Sequence, residues 1–120
     1  MAKILVVDDS VSMQKMVTLT LKTAGHEVVE ASDGSQALSI AQKGPVDLVL
    51  SDVNMPNMSG IELCQKIRQL PSYKFTPFLM LTTESAGDIK MKGKAAGATG
   101  WLVKPFNPSQ LLATVKKVLT

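Results

Sequence analysis

Asp8 and Asp9, Asp52, and Lys104 each stand at the end of a short apolar run, and their types suit metal and phosphate chemistry. Asp8 and Asp9 follow Lys3-Ile4-Leu5-Val6-Val7, Asp52 follows Val46-Asp47-Leu48-Val49-Leu50-Ser51, and Lys104 follows Gly100-Trp101-Leu102-Val103. Runs of this length and β-branched content suit buried parallel strands, whose ligands gather at the carboxyl ends. If the three runs share one sheet, three carboxylates and an ammonium converge on one edge. Carboxylates that close disfavour one another's charge unless a cation joins them. Mg2+ resolves the conflict, because it takes oxygen ligands, keeps several waters and needs only one or two carboxylates and a carbonyl. Asp9 and Asp52 can ligate directly and Asp8 through water, with the main-chain carbonyl of Asn54 as third protein ligand where the loop turns back. A carboxylate can also attack phosphorus to give an aspartyl phosphate. Asp52 is the better nucleophile, because Asp8 and Asp9 begin a helix. Transfer then depends on neutralising the phosphoryl oxygens, which the cation, the Lys104 ammonium and the Thr82 hydroxyl can share.

Each of these residues also has an ordinary role when taken alone. Asp8-Asp9-Ser10 suits a helix N-terminus, Asp52 a turn before Asn54 and Met55-Pro56, Thr82 and Thr83 a strand end, and Lys104-Pro105 a turn. Those roles do not explain why all of them fall at one edge.

The elements that must hold them alternate along the whole chain. Strands are expected at about 3–7, 27–31, 46–51, 77–81 and 99–103. Helices are expected at about 10–24, from Asp33-Gly34 to near Gly44-Pro45, at 59–70, at 85–96, and from a cap at Asn107 or Ser109 to about Leu119. In the first helix Met13, Met16, Val17, Thr20, Leu21 and Ala24 recur at helical spacing and Gly25 supplies the stop. Gly93 inside the fourth helix costs on the order of 1 kcal/mol against alanine, so that helix should be the loosest. Five βα units with short connections imply an α/β fold, a doubly wound parallel sheet with helices on both faces. Right-handed crossovers favour strand order 2-1-3-4-5, with the ligand crevice between strands one and three.

Composition narrows the function. At 120 residues the chain has room for one domain, over 1–120, and not for two. No apolar run approaches a membrane span, and Met1-Ala2-Lys3 followed by a strand lacks the pattern of a signal peptide. A single cysteine, Cys64, forms no internal disulfide, so a cytoplasmic location fits; beside Ile61, Leu63 and Ile67 it reads as buried filler. Thirteen basic against ten acidic side chains give +3, too mild for a nucleic-acid domain unless concentrated. Lys90, Lys92 and Lys94 cluster, as do Lys116 and Lys117, either as solvated helix faces or as a dock for an acidic partner. The one histidine, His26, excludes a histidine-based metal site. A monomer is expected, since no large apolar stripe lacks a place in the sheet packing.

The Asp8-Asp9 pair, Asp52 before Met55-Pro56 and Gly60, Thr82, and Lys104-Pro105-Phe106 come in an order and spacing that resembles response-regulator receiver domains. The resemblance covers essentially all 120 residues, and within the family it is to the stand-alone chemotaxis type without an output domain. It implies a flavodoxin-like (βα)5 fold, Mg2+, phosphotransfer from a chemotaxis-type histidine kinase onto Asp52, and a cis peptide between Lys104 and Pro105. The strand order is itself the family's, so its placement is not independent of the resemblance. The family's aromatic switch position falls on Trp101, where tyrosine or phenylalanine is usual, coupled to an inward move of Thr82. The positions that govern the lifetime of the acyl phosphate fall on Asn54 and Glu84, of a type that implies fast self-dephosphorylation. Output would pass through helix four, strand five and helix five, rimmed by Lys90, Lys92, Lys94 and Trp101, to a flagellar motor switch peptide, with a dedicated phosphatase as a further partner. Such a protein catalyses only its own phosphorylation and dephosphorylation and is otherwise no enzyme. A phosphorelay intermediate or phosphate sink uses the same parts. A haloacid-dehalogenase-type phosphatase needs its two acids two residues apart, whereas Asp8 and Asp9 are adjacent. A flavodoxin-like cofactor carrier needs a Ser/Thr/Gly-rich phosphate loop where these acids stand.

Overall fold

Five short strands, each followed by a helix, make one parallel sheet in the order β2-β1-β3-β4-β5. The computed structural model describes residues 2–83 and 87–119, without the side chains of 87–89. The elements are β1 (Lys3–Val7), α1 (Val11–Thr23), β2 (Glu27–Ala31), α2 (Gly34–Lys43), β3 (Leu48–Asp52), α3 (Gly60–Arg68), a 3-10 turn (Pro71–Tyr73), β4 (Phe78–Thr82), α4 (Gly87–Ala96), β5 (Gly100–Val103) and α5 (Pro108–Leu119). The chain winds from β1 out to β2 and then crosses to β3, which puts the topological switch between β1 and β3.

Every residue of β3 and β4 is buried, because successive side chains leave a strand on opposite faces and helices cover both. Leu5, Val7, Val49, Phe78 and Met80 pack with Ala37, Leu63, Ile67 and Ala96 on one face. Ile4, Val6, Leu48, Leu50 and Leu79 pack with Val17, Leu21, Leu111 and Val115 on the other. Continuous apolar runs, with no polar alternation, are the consequence. Among the described residues no helix is long and apolar enough to cross a membrane.

Boundaries depart from the sequence expectation where side chains intercept backbone groups. The third strand was expected from 46 and begins at Leu48, since the Val46 N–H donates to the Tyr73 hydroxyl at 3.2 Å and the Asp47 carboxylate accepts the Lys3 N–H at 2.8 Å. It also runs on to include Asp52. β4 begins at Phe78 because Pro77 brings no N–H, and β5 at Gly100 because the Thr99 hydroxyl accepts the Phe78 N–H at 3.0 Å. The third helix stops at Arg68 instead of 70, ahead of Pro71, which opens a 3-10 turn absent from the sequence reading. α1 starts after Ser10, whose hydroxyl accepts the Met13 N–H, and ends before Gly25 at φ 95. Of the two candidate caps for α5, Asn107 serves: its Oδ1 accepts the Gln110 N–H at 2.8 Å and Gln110 Oε1 accepts the Asn107 N–H at 2.9 Å, a reciprocal box. Ser109 lies inside the helix. The start expected for the fourth helix at 85 lies outside the described residues.

Gly93 is buried, and the reason is a neighbour. A Cβ built there would stand 3.0 Å from Trp101 Cζ2, 3.1 Å from Nε1 and 3.3 Å from Cε2. The missing side chain is the seat of the indole, so the glycine that weakens α4 locally also lets β5 pack against it.

Candidate functional site

Strand register delivers the acids to one place. Val7 pairs with Ser51, Asp52 with Leu81, and Thr82 with Val103, so Asp8, Asp52, Thr82 and Lys104 are neighbours across the carboxyl edge. Carboxylate oxygens of Asp8, Asp9 and Asp52 lie within 4.8 Å of one another. Asp8 is 1% exposed and Asp52 8%, while Asp9 is exposed. Lys104 Nζ stands 3.4 Å from Asp8 Oδ2 and 3.4 Å from Asp52 Oδ2. The Ser10 N–H gives Asp8 Oδ1 a hydrogen bond at 2.9 Å. Burial pushes the Asp52 carboxyl above its ordinary pKa; Lys104 pulls it down, Asp8 pushes it up, and the Asn54 backbone N–H lowers it by donating to it. The donor set is all oxygen and negatively charged, which fits a hard cation such as Mg2+ and gives a soft metal nothing to bind.

The segment that follows Asp52 is fixed by close approaches. A Cβ at Gly60 would stand 2.3 Å from the Asp52 carbonyl oxygen, and the Gly60 N–H donates to the Val53 carbonyl at 2.9 Å. Only glycine lets α3 begin so near the acid. Asn57 turns the loop at φ 70, and Met58 folds over α2, where a Cβ at Gly34 would meet its sulfur at 2.6 Å. Thr82 is fully buried at the end of β4, and its carbonyl accepts the Lys104 N–H at 2.7 Å. The Lys104–Pro105 peptide is cis. Asn54 is exposed beside Asp52. Glu84 lies outside the described residues.

Farther along β5, Trp101 is half-buried against Gly93, and its indole Nε1 is buried with no hydrogen-bond partner among the described residues. Lys90, Lys92 and Lys94 are all exposed on α4 beside Met91, itself 71% exposed. Cys64 is buried, its thiol pushed up to about 11 by burial, which suits filler and not a nucleophile.

Sequence reasoning passed over two groups that the structure makes prominent. Gln14 is buried in α1 and reaches the ends of β1 and β2 with its amide; the available signal was a polar residue four before Thr18, on the helical face of Val17 and Leu21. The guanidinium of Arg68 donates to the carbonyls of Tyr73 and Gly97 at 2.6 and 2.8 Å, tying α3 to the turn after it and to the end of α4. Nothing local in the sequence marks that reach.

Known proteins are similar to this chain in sequence and fold. The chain is 57% identical to the chemotaxis response regulator CheY4 of Vibrio cholerae over 99% of both chains, with a TM-score of 0.96 between the structures. It is 38% identical over 117 residues to the chemotaxis protein CheY-3 of Vibrio cholerae, covering 97% of this chain and 90% of that protein. It is 39% identical to the alkaline phosphatase synthesis transcriptional regulatory protein PhoP of Bacillus subtilis over 98% of this chain, but spans only 48% of PhoP's length. The response regulator receiver domain matches residues 4–116, from the first buried strand to the last helix, and the chain belongs to that family of two-component signalling domains.

Proposed function

We propose that the protein is a phosphorylation-activated chemotaxis switch that accepts a phosphoryl group on Asp52. The observation that carries this reading is Lys104 Nζ, equidistant at 3.4 Å from Asp8 and Asp52 beside a third carboxylate. An Asp52 oxygen attacks the phosphorus of a phosphohistidine, the P–N bond breaks, and the imidazole leaves with a proton from solvent. Asp8, Asp9, Asp52 and the Asn54 carbonyl would hold Mg2+, which supplies charge neutralisation to the transferring phosphoryl group. Lys104 neutralises a second oxygen, and the Thr82 hydroxyl donates to a third. The new charge draws Thr82 inward and shifts Trp101, so that α4, β5 and α5 present a changed surface. Asn54 and Glu84 set how fast water reaches the acyl phosphate.

A cytoplasmic monomer with a chemotaxis-type kinase upstream, a phosphatase, and a motor switch peptide meeting Lys90, Lys92, Lys94 and Trp101 completes the reading. It is supported by the likeness to CheY4 and CheY-3, both named as chemotaxis proteins. The test is a Mg2+ titration followed by a beryllofluoride phosphoryl mimic, read by Trp101 fluorescence, with Asp52→Asn as control. A saturable response that needs both Mg2+ and Asp52 is expected. No response in the wild type at saturating Mg2+ would refute the coupling to Trp101, and no phosphoryl adduct on intact protein given acetyl phosphate would refute the acceptor role.

A further inference from the structure

Beneath the acidic cluster lies a buried polar side chain that the chemistry above does not use. Gln14, 7% exposed, donates from Nε2 to the Ala31 carbonyl at 2.8 Å and to the Asp8 carbonyl at 3.3 Å. The Ala31 carbonyl also accepts the Asp8 N–H at 3.1 Å. One amide therefore joins the end of β2, the end of β1 and the first turn of α1. Packing alone does not call for it, since Val17 and Leu21 already fill that side of the core.

We propose that Gln14 is a positioning residue for the cation site, fixing the peptide plane between Asp8 and Asp9. The Asp8 carbonyl belongs to that plane, and turning the plane swings Asp9. Asp8 has constraints of its own, from the Ser10 N–H and Lys104. Asp9 is exposed rather than clamped in the core, so its direction toward Asp8 and Asp52 depends on the backbone that Gln14 holds. The inference rests on the proposed Mg2+-dependent reading, and concerns a residue outside the ligand set. Partners behind metal ligands commonly control affinity by 10-fold or more, on the order of 10–100-fold.

The experiment is calorimetric titration of metal-free protein with Mg2+, comparing wild type with Gln14→Met, which keeps length and volume without a donor, and Gln14→Ala, which favours the helix. Both variants should bind Mg2+ on the order of 10-fold more weakly. A purely structural role lowers the melting temperature in EDTA and leaves Mg2+ affinity at the wild-type value, and that result overturns the inference. A second measurement needs no variant. Linkage is reciprocal, so if the Gln14 hydrogen bonds favour Mg2+, then Mg2+ must favour those bonds. Hydrogen exchange of the Gln14 side-chain amide protons in wild type should slow on adding Mg2+, and an unchanged rate overturns the inference. Wild type that binds no Mg2+ would remove both this inference and the function proposed above, whereas equal binding by wild type and Gln14→Met removes this one alone.

Discussion

Gly93→Ala isolates the contact between α4 and β5. In an unobstructed helix interior the change should stabilise by about 1 kcal/mol, because alanine loses less backbone freedom than glycine. Here the new methyl meets the Trp101 ring at 3.0 to 3.3 Å, tighter than ordinary van der Waals contact. Overpacking of this kind costs about 1–3 kcal/mol when the neighbour cannot move away. The indole is backed by the layer containing Leu63, Ile67 and Ala96, so the net should be zero to about 2 kcal/mol of destabilisation. The decisive comparison is a cycle with Trp101→Val, which removes the ring and keeps a strand-forming residue. In that background Gly93→Ala should recover its stabilisation of about 1 kcal/mol, and the reversal of sign measures the coupling. Urea unfolding followed by circular dichroism reads all four proteins, and Trp101 fluorescence should change in Gly93→Ala alone. Equal stabilisation by Gly93→Ala in both backgrounds, with unchanged fluorescence, would refute the account of Gly93 as the indole's seat.

The remaining predictions concern the acids and one latch. Added Mg2+ should raise the melting temperature by binding the native state; in EDTA at neutral pH, Asp52→Ala should melt a few degrees above wild type, because it removes a carboxylate whose ionisation burial opposes, and the Mg2+ effect should shrink. A variant less stable than wild type in EDTA would contradict that electrostatic reading. Glu30 accepts from Lys15 at 2.8 Å and Thr18 at 2.6 Å, and first the Lys15 bond, then the Thr18 bond, hold its pKa below the ordinary value. A lowered folded pKa contributes stability above the unfolded value, about 4.3, that is lost as pH falls through the folded one. Glu30→Gln should therefore cost up to about 1 kcal/mol at neutral pH, with the gap to wild type closing below about pH 4 in melts run across pH. Tyr73→Phe leaves the buried Val46 N–H without its acceptor and removes the hydroxyl's bond to Ala41 or Gly44; it should cost about 1–3 kcal/mol in urea unfolding.

What the sequence disclosed follows from which forces act locally. Strands β1, β3 and β4 were legible because both faces of a covered parallel sheet must be apolar, and runs such as Leu48-Val49-Leu50 have no other use. The acids were legible because aspartates and a lysine ending such runs have nowhere to go but the sheet's edge. Tertiary hydrogen bonds were not legible. Whether β3 starts at 46 or 48 depends on a tyrosine hydroxyl from 27 residues away, and the turn at Pro71–Tyr73 depends on Arg68 gathering carbonyls there. Gly93 was read as a weak helix residue, whereas the reason for a glycine there lies in another element, the Trp101 ring of β5. Gln14 escaped notice because a glutamine in an amphipathic helix usually faces water, and only the ends of β1 and β2 make it a buried donor.

Charge in the site explains why metal, phosphoryl group and conformation should be linked. Three carboxylates face one ammonium, which leaves two negative charges when all are ionised, the amount one divalent cation cancels. Burial and Asp8 raise the pKa of Asp52 while Lys104 lowers it, so a divalent cation beside it would favour the carboxylate, the form the proposed phosphotransfer uses. On the proposed reading, phosphorylation would remove the Asp52 charge and bring a group of about −1.5 to −2, leaving the cation-loaded site with a net deficit of up to one. The donors standing nearest that deficit are Lys104, already shared between two acids, and the buried Thr82. Moving either one disturbs the ends of β4 and β5, because the Lys104 N–H is bonded to the Thr82 carbonyl at 2.7 Å. A deficit of one charge at this edge is thus felt first on β5, three residues from an indole whose own N–H has no partner among the described residues. The indole lies against Gly93 of α4, so on the proposed reading a displaced β5 passes the deficit on to its contact with that helix.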